Sequence, residues 1–253
     1  MKIVVAIRQV PEREARLRVN AAGNAIEEEG LQFATNEPDA YALEHALALR
    51  AAEGGEVIAL SVGPERTANA LRDALARGAD RAIHVLAGEL DALGVARVLA
   101  AIVRQENADL LLAGLQSEDM GYGQTPVLAA GLLGVPHTTL ALEITPAEHG
   151  LRVFRELEDG WRQSVDLPLP AVVAVQAGGL ALSYATLMGI KRARTKELRT
   201  LAVEDLGLAL EPALIVESLA PPARTKSTEM LQGEPEQVAA ALIRKLRDEA
   251  HVL

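Results

Sequence analysis

The sequence predicts an α/β fold: a mostly parallel sheet flanked by helices in a Rossmann-like sandwich, with later antiparallel strands and a C-terminal arm. Three observations predict it. Over the first 140 residues, short apolar runs alternate with stretches of helical period, which implies parallel strands joined by right-handed crossovers. Runs such as VVAI at 4–7, VIALSV at 57–62 and DLLLA at 109–113 are almost continuously apolar, as expected when both sheet faces are covered. After about residue 137 the runs are separated only by short polar turns, which predicts antiparallel pairing.

The elements follow in order. Lys2–Ile7 reads as a buried strand, and Arg16–Asn20 with Ala25–Glu28 flank a turn at Gly23-Asn24, a side hairpin. Asn36 is placed to cap a helix whose first turn holds Pro38 and Asp39. Leu43, Ala46, Leu47 and Arg50 carry its period, and Gly54-Gly55 stops it. Val57–Val62 is the next strand and Glu65–Arg77 the next helix, ended by Gly78. Arg81–Leu86 is a strand, Asp91–Glu106 a helix and Asp109–Ala113 a strand. Thr125 then reads as an N-cap with Pro126 at the first helical position. Thr138–Ile144, Leu151–Glu156, Trp161–Val165 and Ala171–Val175 are the strands predicted to pair antiparallel. Residues 183–199 stand apart, with five basic residues and one acidic one in Lys191–Thr200. Pro221-Pro222 and the polar stretch to Gly233 read as an extended linker, and Val238–Leu253 as an amphipathic helix that docks on another surface.

Composition narrows the function. The 253 residues bury a sizeable core without staples. There is no cysteine, which excludes thiol nucleophiles, Cys-ligated zinc, iron–sulfur clusters and disulfides. A net charge of −10 and only six aromatic residues argue against nucleic-acid binding and against an anionic membrane surface. No targeting segment and no membrane-length apolar stretch is visible, so a cytoplasmic location is expected. The motifs of P-loop proteins, serine hydrolases, zinc proteases and EF-hands are missing. His45, His84, His137, His149 and His251 are scattered and read as structural or surface residues. No catalytic residue is assigned.

The most informative stretch is GLQSEDMGYGQT, Gly114–Thr125, between a strand and a helix. Sheets of this nucleotide-binding type take ligands beyond the carboxyl ends of their strands. Gly121 and Gly123 permit a sharp turn and close approach to a ligand. A helix start presents free N–H groups and the positive end of its dipole to a phosphate, and Gln124 and Thr125 add side-chain donors. An ordinary capped strand-to-helix loop has the same pattern, and the residues alone leave both readings open. Gly121, Gly123 and Pro126 only approach the dinucleotide fingerprint, so an NAD site is not supported. Glu118 and Asp119 read as solvated loop carboxylates, and Asn36–Asp39 either faces the same crevice or caps its helix. In Tyr184–Ile190, Leu187, Met188 and Ile190 precede the basic cluster. That is the look of an apolar docking anchor with a charged rim, or equally of a strand end before a solvated basic helix.

Taken together and in order, several segments resemble the beta subunit of electron transfer flavoproteins: VVAIRQV at 4–10, NEPDAYALEHAL at 36–47, SVGP at 61–64, ARGADRAIHV at 76–85, GLQSEDMGYGQT and YATLMGIKRARTK at 184–196. Val153, Arg155, Glu158, Asp159, Gln163, Val165, Pro170, Val172 and Val173 are similar to the family's signature after the sheet. The resemblance implies an αβ heterodimer that carries electrons from dehydrogenases, such as acyl-CoA dehydrogenases, to a quinone oxidoreductase and has no catalytic site of its own. It implies FAD held mainly by the alpha subunit and a structural AMP in this chain. By the same resemblance Ala6, Asn36, Glu37, Pro38, Asp39, Val62 and Gly114 to Thr125 (Leu115, Gln116, Ser117, Glu118, Asp119, Met120, Gly121, Tyr122, Gly123, Gln124) line the AMP pocket. Arg155 and Glu156 lie near the flavin. Tyr184, Leu187, Met188 and Ile190 dock the partner, with Leu187 as the anchor. Residues 1–200 are then the nucleotide-binding unit and 201–253 an arm that docks on the alpha subunit. Two alternatives are a bifurcating relative with a second FAD, disfavoured by GYGQTPV at 121–127, and a stand-alone adenine-nucleotide binder.

Overall fold

The computed structural model describes residues 1–222 and 228–253. Its strands are β1 Lys2–Ala6, β2 Gln9–Pro11, β3 Phe33–Thr35, β4 Glu56–Gly63, β5 Arg81–Leu86, β6 Leu110–Gly114, β7 His137–Ala147, β8 Gly150–Glu156, β9 Arg162–Leu167, β10 Ala171–Val175 and β11 Leu198–Ala202. Its helices are α1 Glu37–Glu53, α2 Ala68–Arg77, α3 Ala92–Glu106, α4 Thr125–Leu133, α5 Leu187–Ala193 and α6 Pro235–Asp248. Nine strands form one sheet in the order β11-β5-β4-β1-β6-β10-β7-β8-β9. Pairing is parallel from β11 to β7 and antiparallel through β8 and β9.

The continuous apolar runs are explained by two cores. Ile3, Val5, Val57, Ala59, Leu110, Leu112 and Val173 face helices α1 and α2. Val4, Ile58, Leu60, Ile83, Leu111 and Val172 face α3 and α4. Alternate side chains of each strand therefore enter opposite cores, so every position is apolar. Asp91 caps α3 as a side-chain acceptor for Gly94 N–H at 2.7 Å, and Gly54 ends α1 at a φ of 71°.

Several expectations need correcting. Ala171–Val175 is not an antiparallel strand: β10 inserts between β6 and β7 and runs parallel to both. All five of its residues are buried, which is the burial of a central strand. Thr138–Ile144 likewise belongs to β7, parallel to β10 on one side and antiparallel to β8 on the other. The residue preceding α4 is Gln124, and Thr125 is already helical. Trp161 lies in the turn before β9 and is 73% exposed. The helix expected from Glu65 opens as a 3₁₀ turn, Glu65–Thr67, before α2. The C-terminal helix begins at Pro235 and ends at Asp248. Of the expected linker, residues 223–227 lie outside the described residues. Strand β11 adds to the outer edge of β5. The chain after it lies on its own domain: Arg97 donates to Ala209 O at 2.7 Å, Asp91 accepts from Ala213 N and Leu214 N, and Leu219 N donates to Gly23 O.

Candidate functional site

The candidate site is built on the carboxyl ends of three neighbouring strands, β4, β1 and β6, which carry Val62, Ala6 and Gly114. The ends of β1 and β6 are tied together by one buried carboxylate. Asp39 sits in the first turn of α1; its Oδ2 accepts from Arg8 N at 2.8 Å and its Oδ1 from Gly114 N at 2.7 Å. Gly114 is required there, because a β-carbon would lie 2.5 Å from Asp39 Oδ1 and 2.7 Å from Pro38 Cβ. Asn36, which is buried, makes no side-chain cap to α1. Its amide instead donates to Gln116 O at 3.2 Å and accepts from Glu118 N at 3.0 Å. The segment Asn36–Asp39 thus holds both the floor and the wall of the loop after β6.

Burial pushes the Asp39 carboxyl up to about 6, against the opposing effect of its two backbone donors. The folded value lies above the unfolded one, so the folded protein holds the extra proton between pH 4 and 6. This group's contribution to stability is full below pH 4 and is lost as pH climbs through 6. His45, buried on the same helix, is pushed down to about 4 by burial, partly opposed by the Leu142 carbonyl. Its contribution has the opposite slope, present above pH 6.5 and lost as pH falls through 4. Each amounts to about 3 kcal/mol, so the two largely cancel in global stability. Residue-resolved carbon-13 titration separates them: the Asp39 carboxyl is expected to titrate near pH 6, and a midpoint below 4 contradicts this account.

The loop from Leu115 to Gln124 turns at Gly121 and Gly123, with φ of 65° and 62°. Its base is pinned by Leu115 N donating to Val175 O and Gly121 N to Ser117 O. The N–H groups of Gly123, Gln124 and Thr125 find no acceptor among the described residues. They precede or open a nine-residue helix, so unpaired donors and the helix dipole point the same way. Three carboxylates nearby would repel an anion, and two guanidinium groups offset most of that charge. Arg8 grips Asp119 through Nε and Nη2 at 2.6–2.9 Å. Burial pushes the Asp119 carboxyl up, but the Arg8 and Ser117 bonds outweigh it and hold it below the usual range. Arg13 bridges Glu37 at 2.8 Å and Glu118 at 2.6 Å. The arrangement suits a phosphate monoester: backbone donors for the oxygens, and glycines that let the anion approach.

The remaining predicted residues lie elsewhere. Arg155 and Glu156 end β8 on the same carboxyl side of the sheet: Arg155 Nε donates to Thr139 O at 2.7 Å, and Gln176 Nε2 to Glu156 Oε2 at 3.2 Å. Tyr184, Leu187, Met188 and Ile190 are all exposed, Tyr184 by 90% and Leu187 by 87%. They sit at and before α5, with Thr186 capping it through Gly189 N at 3.0 Å. Of the histidines, His45 and His84 are buried and the others exposed. Among the described residues no cluster of metal-ligating side chains occurs, and no helix is long and apolar enough to cross a membrane. Sequence reasoning missed Arg8 and Arg13. Their only local signal is a basic residue just past a strand end that points toward an acidic loop.

Residues 23–206 match the family described as electron transfer flavoprotein domain. The chain is 33% identical to the electron transfer flavoprotein subunit beta of Methylophilus methylotrophus, over 98% of each chain. It is 36% identical to that of Homo sapiens, over 89% of this chain and 91% of the human one. It is 35% identical to the mitochondrial subunit beta of Oryza sativa subsp. indica over the whole of both. With its α/β sheet, its donor-lined loop beyond β6 and these full-length matches, the chain belongs to the electron transfer flavoprotein beta-subunit family.

Proposed function

We propose that this chain is the AMP-carrying, partner-docking subunit of a heterodimer that moves electrons from dehydrogenases, acyl-CoA dehydrogenases among them, to a quinone oxidoreductase. AMP sits in the loop Gly114–Thr125, with Gly123, Gln124 and Thr125 at its phosphate. The observation that carries this reading is the set of three unpaired N–H groups at the start of α4, with Asp119, Glu37 and Glu118 each ion-paired to Arg8 or Arg13. FAD is held mainly by the alpha subunit and supplies the redox chemistry when bound. This chain has no catalytic site of its own; its residues bind, orient and dock.

Residues 1–200 form the nucleotide-binding unit; of the arm 201–253, the stretch to Leu219 packs on that unit and the remainder, with α6, engages the alpha subunit. Leu242 and Ile243 of α6 are exposed, an apolar stripe that a partner covers. Arg155 and Glu156 lie on the side of the sheet offered to the flavin. Leu187 is the anchor for the donor dehydrogenase. An apolar anchor remote from the flavin gives recognition without fixing the donor–acceptor geometry, so one carrier serves several donors.

Titration of the nucleotide-stripped heterodimer with AMP tests the pocket. Gly123→Ala forces a β-carbon onto a φ of 62°, a strain of about 1–2 kcal/mol. The loop relieves it by turning its N–H groups away from the anion. AMP affinity is expected to fall about tenfold with flavin content unchanged; equal affinities would contradict the assignment.

A further inference from the structure

We propose that Glu44 is a positioning residue for partner docking: its carboxylate latches Ser183 to α1 and so sets how the apolar tip at Leu187 is presented. This rests on the docking reading of Tyr184–Ile190 given above. Glu44 Oε1 accepts from Ser183 Oγ at 2.6 Å, from Ser183 N at 3.1 Å and from Arg77 Nη2 at 2.8 Å. The Glu44 and Arg77 side chains are only 12% and 8% exposed, although the segment they hold lies on the surface. Burial pushes the Glu44 carboxyl up, but the Ser183 and Arg77 bonds bring it net below the usual range, so the latch is charged at neutral pH.

The far end of the segment has its own anchor. Helix α5 lies so close on α2 that a β-carbon at Gly189 would collide with the Ala76 carbonyl oxygen. Lys196 Nζ donates to Leu75 O at 3.1 Å and Ala79 O at 2.5 Å, at the end of α2. Between the two anchors the N–H groups of Tyr184, Ala185 and Thr186 meet no acceptor among the described residues. The path of this short connection, and with it the direction of Leu187, is therefore set at its ends. A buried ion pair adds little net stability over an apolar replacement; its best-attested gain is a fixed geometry. A docking loop already held in its bound shape lowers the ordering cost of association.

The test follows flavin reduction in the heterodimer by an acyl-CoA dehydrogenase of the same source that reduces the unsubstituted protein. Ser183→Ala, Ser183→Thr and Glu44→Gln are each measured with Leu187 and with Leu187→Ala. Ser183→Ala is expected to raise KM for the dehydrogenase about threefold and Glu44→Gln about fivefold, with kcat unchanged and Ser183→Thr near the unsubstituted value. With Leu187→Ala in place neither is expected to add a further rise. The exposed Ser183 keeps the test valid if Glu44→Gln fails to fold. Unchanged KM in the Ser183→Ala protein, or a full additional rise on top of Leu187→Ala, overturns the latch. If Leu187→Ala alone leaves KM unchanged, the docking reading itself has failed and the latch falls with it.

Discussion

Leu187→Ala is expected to raise the KM for the donor dehydrogenase about thirtyfold, the loss of roughly 2 kcal/mol that truncating a central apolar anchor brings. The side chain is 87% exposed, so it contributes almost nothing to folding, and a surface truncation of this kind changes stability by less than about 0.5 kcal/mol. The Tm, the AMP content and the rate of flavin reduction by dithionite are therefore expected to stay as they are. Unchanged KM with the donor that serves the unsubstituted heterodimer would remove the anchor role. The neighbouring cations Lys191, Arg192 and Arg194 lie on the same exposed segment, so the reaction with an acidic partner is expected to slow as salt is raised.

Gly114→Ala is expected to be the most damaging single methyl at the candidate site, lowering the unfolding free energy by about 3 kcal/mol. The added carbon would lie 2.5 Å from Asp39 Oδ1, 2.7 Å from Pro38 Cβ and 2.9 Å from Asp39 N; the carboxylate is held by two backbone donors, and the other two atoms belong to a ring and to the backbone. Displacing Asp39 also breaks its bonds to Arg8 N and Gly114 N, leaving buried donors unpaired. Gly131→Ala, on α4 with nothing within 4 Å of the new carbon, serves as the control and is expected to stabilise by about 0.5–1 kcal/mol. Urea unfolding of both proteins checks the pair, and a loss under about 1 kcal/mol at Gly114 would show that the strand ends are looser than this geometry.

The strands β1, β4, β5 and β6 were legible in the sequence because each feeds two cores at once, a property every residue of the run records. Helix ends were legible where one residue decides them, as at Gly54 and Asp91. The place of β10 was not, because strand order is a long-range property and AVVAV at 171–175 reads the same in any neighbourhood. The three-residue strands β2 and β3 carry too few residues to show a period, and β11 is a half-buried edge strand without a continuous apolar run. Asn36 holds the N-cap position that the sequence indicates, but its side-chain partners were not legible, because the free groups of Gln116 and Glu118 lie some 80 residues away in the chain. The glycines of the loop Gly114–Thr125 were visible in the sequence. Its electrostatics were not, since Arg8 and Arg13 meet Asp119 and Glu118 across 111 and 105 residues. The apolar cluster beside charge at Tyr184–Ile190 was visible in the sequence, and the structure adds its exposure.

The first measurement to make is the identity and stoichiometry of the nucleotides released by denaturing the purified heterodimer, read by mass. One FAD and one AMP per heterodimer are predicted, with the AMP lost first in the Gly123→Ala protein. Two FAD per heterodimer, or FAD with no second nucleotide, would contradict the assignment of AMP to the loop Gly114–Thr125.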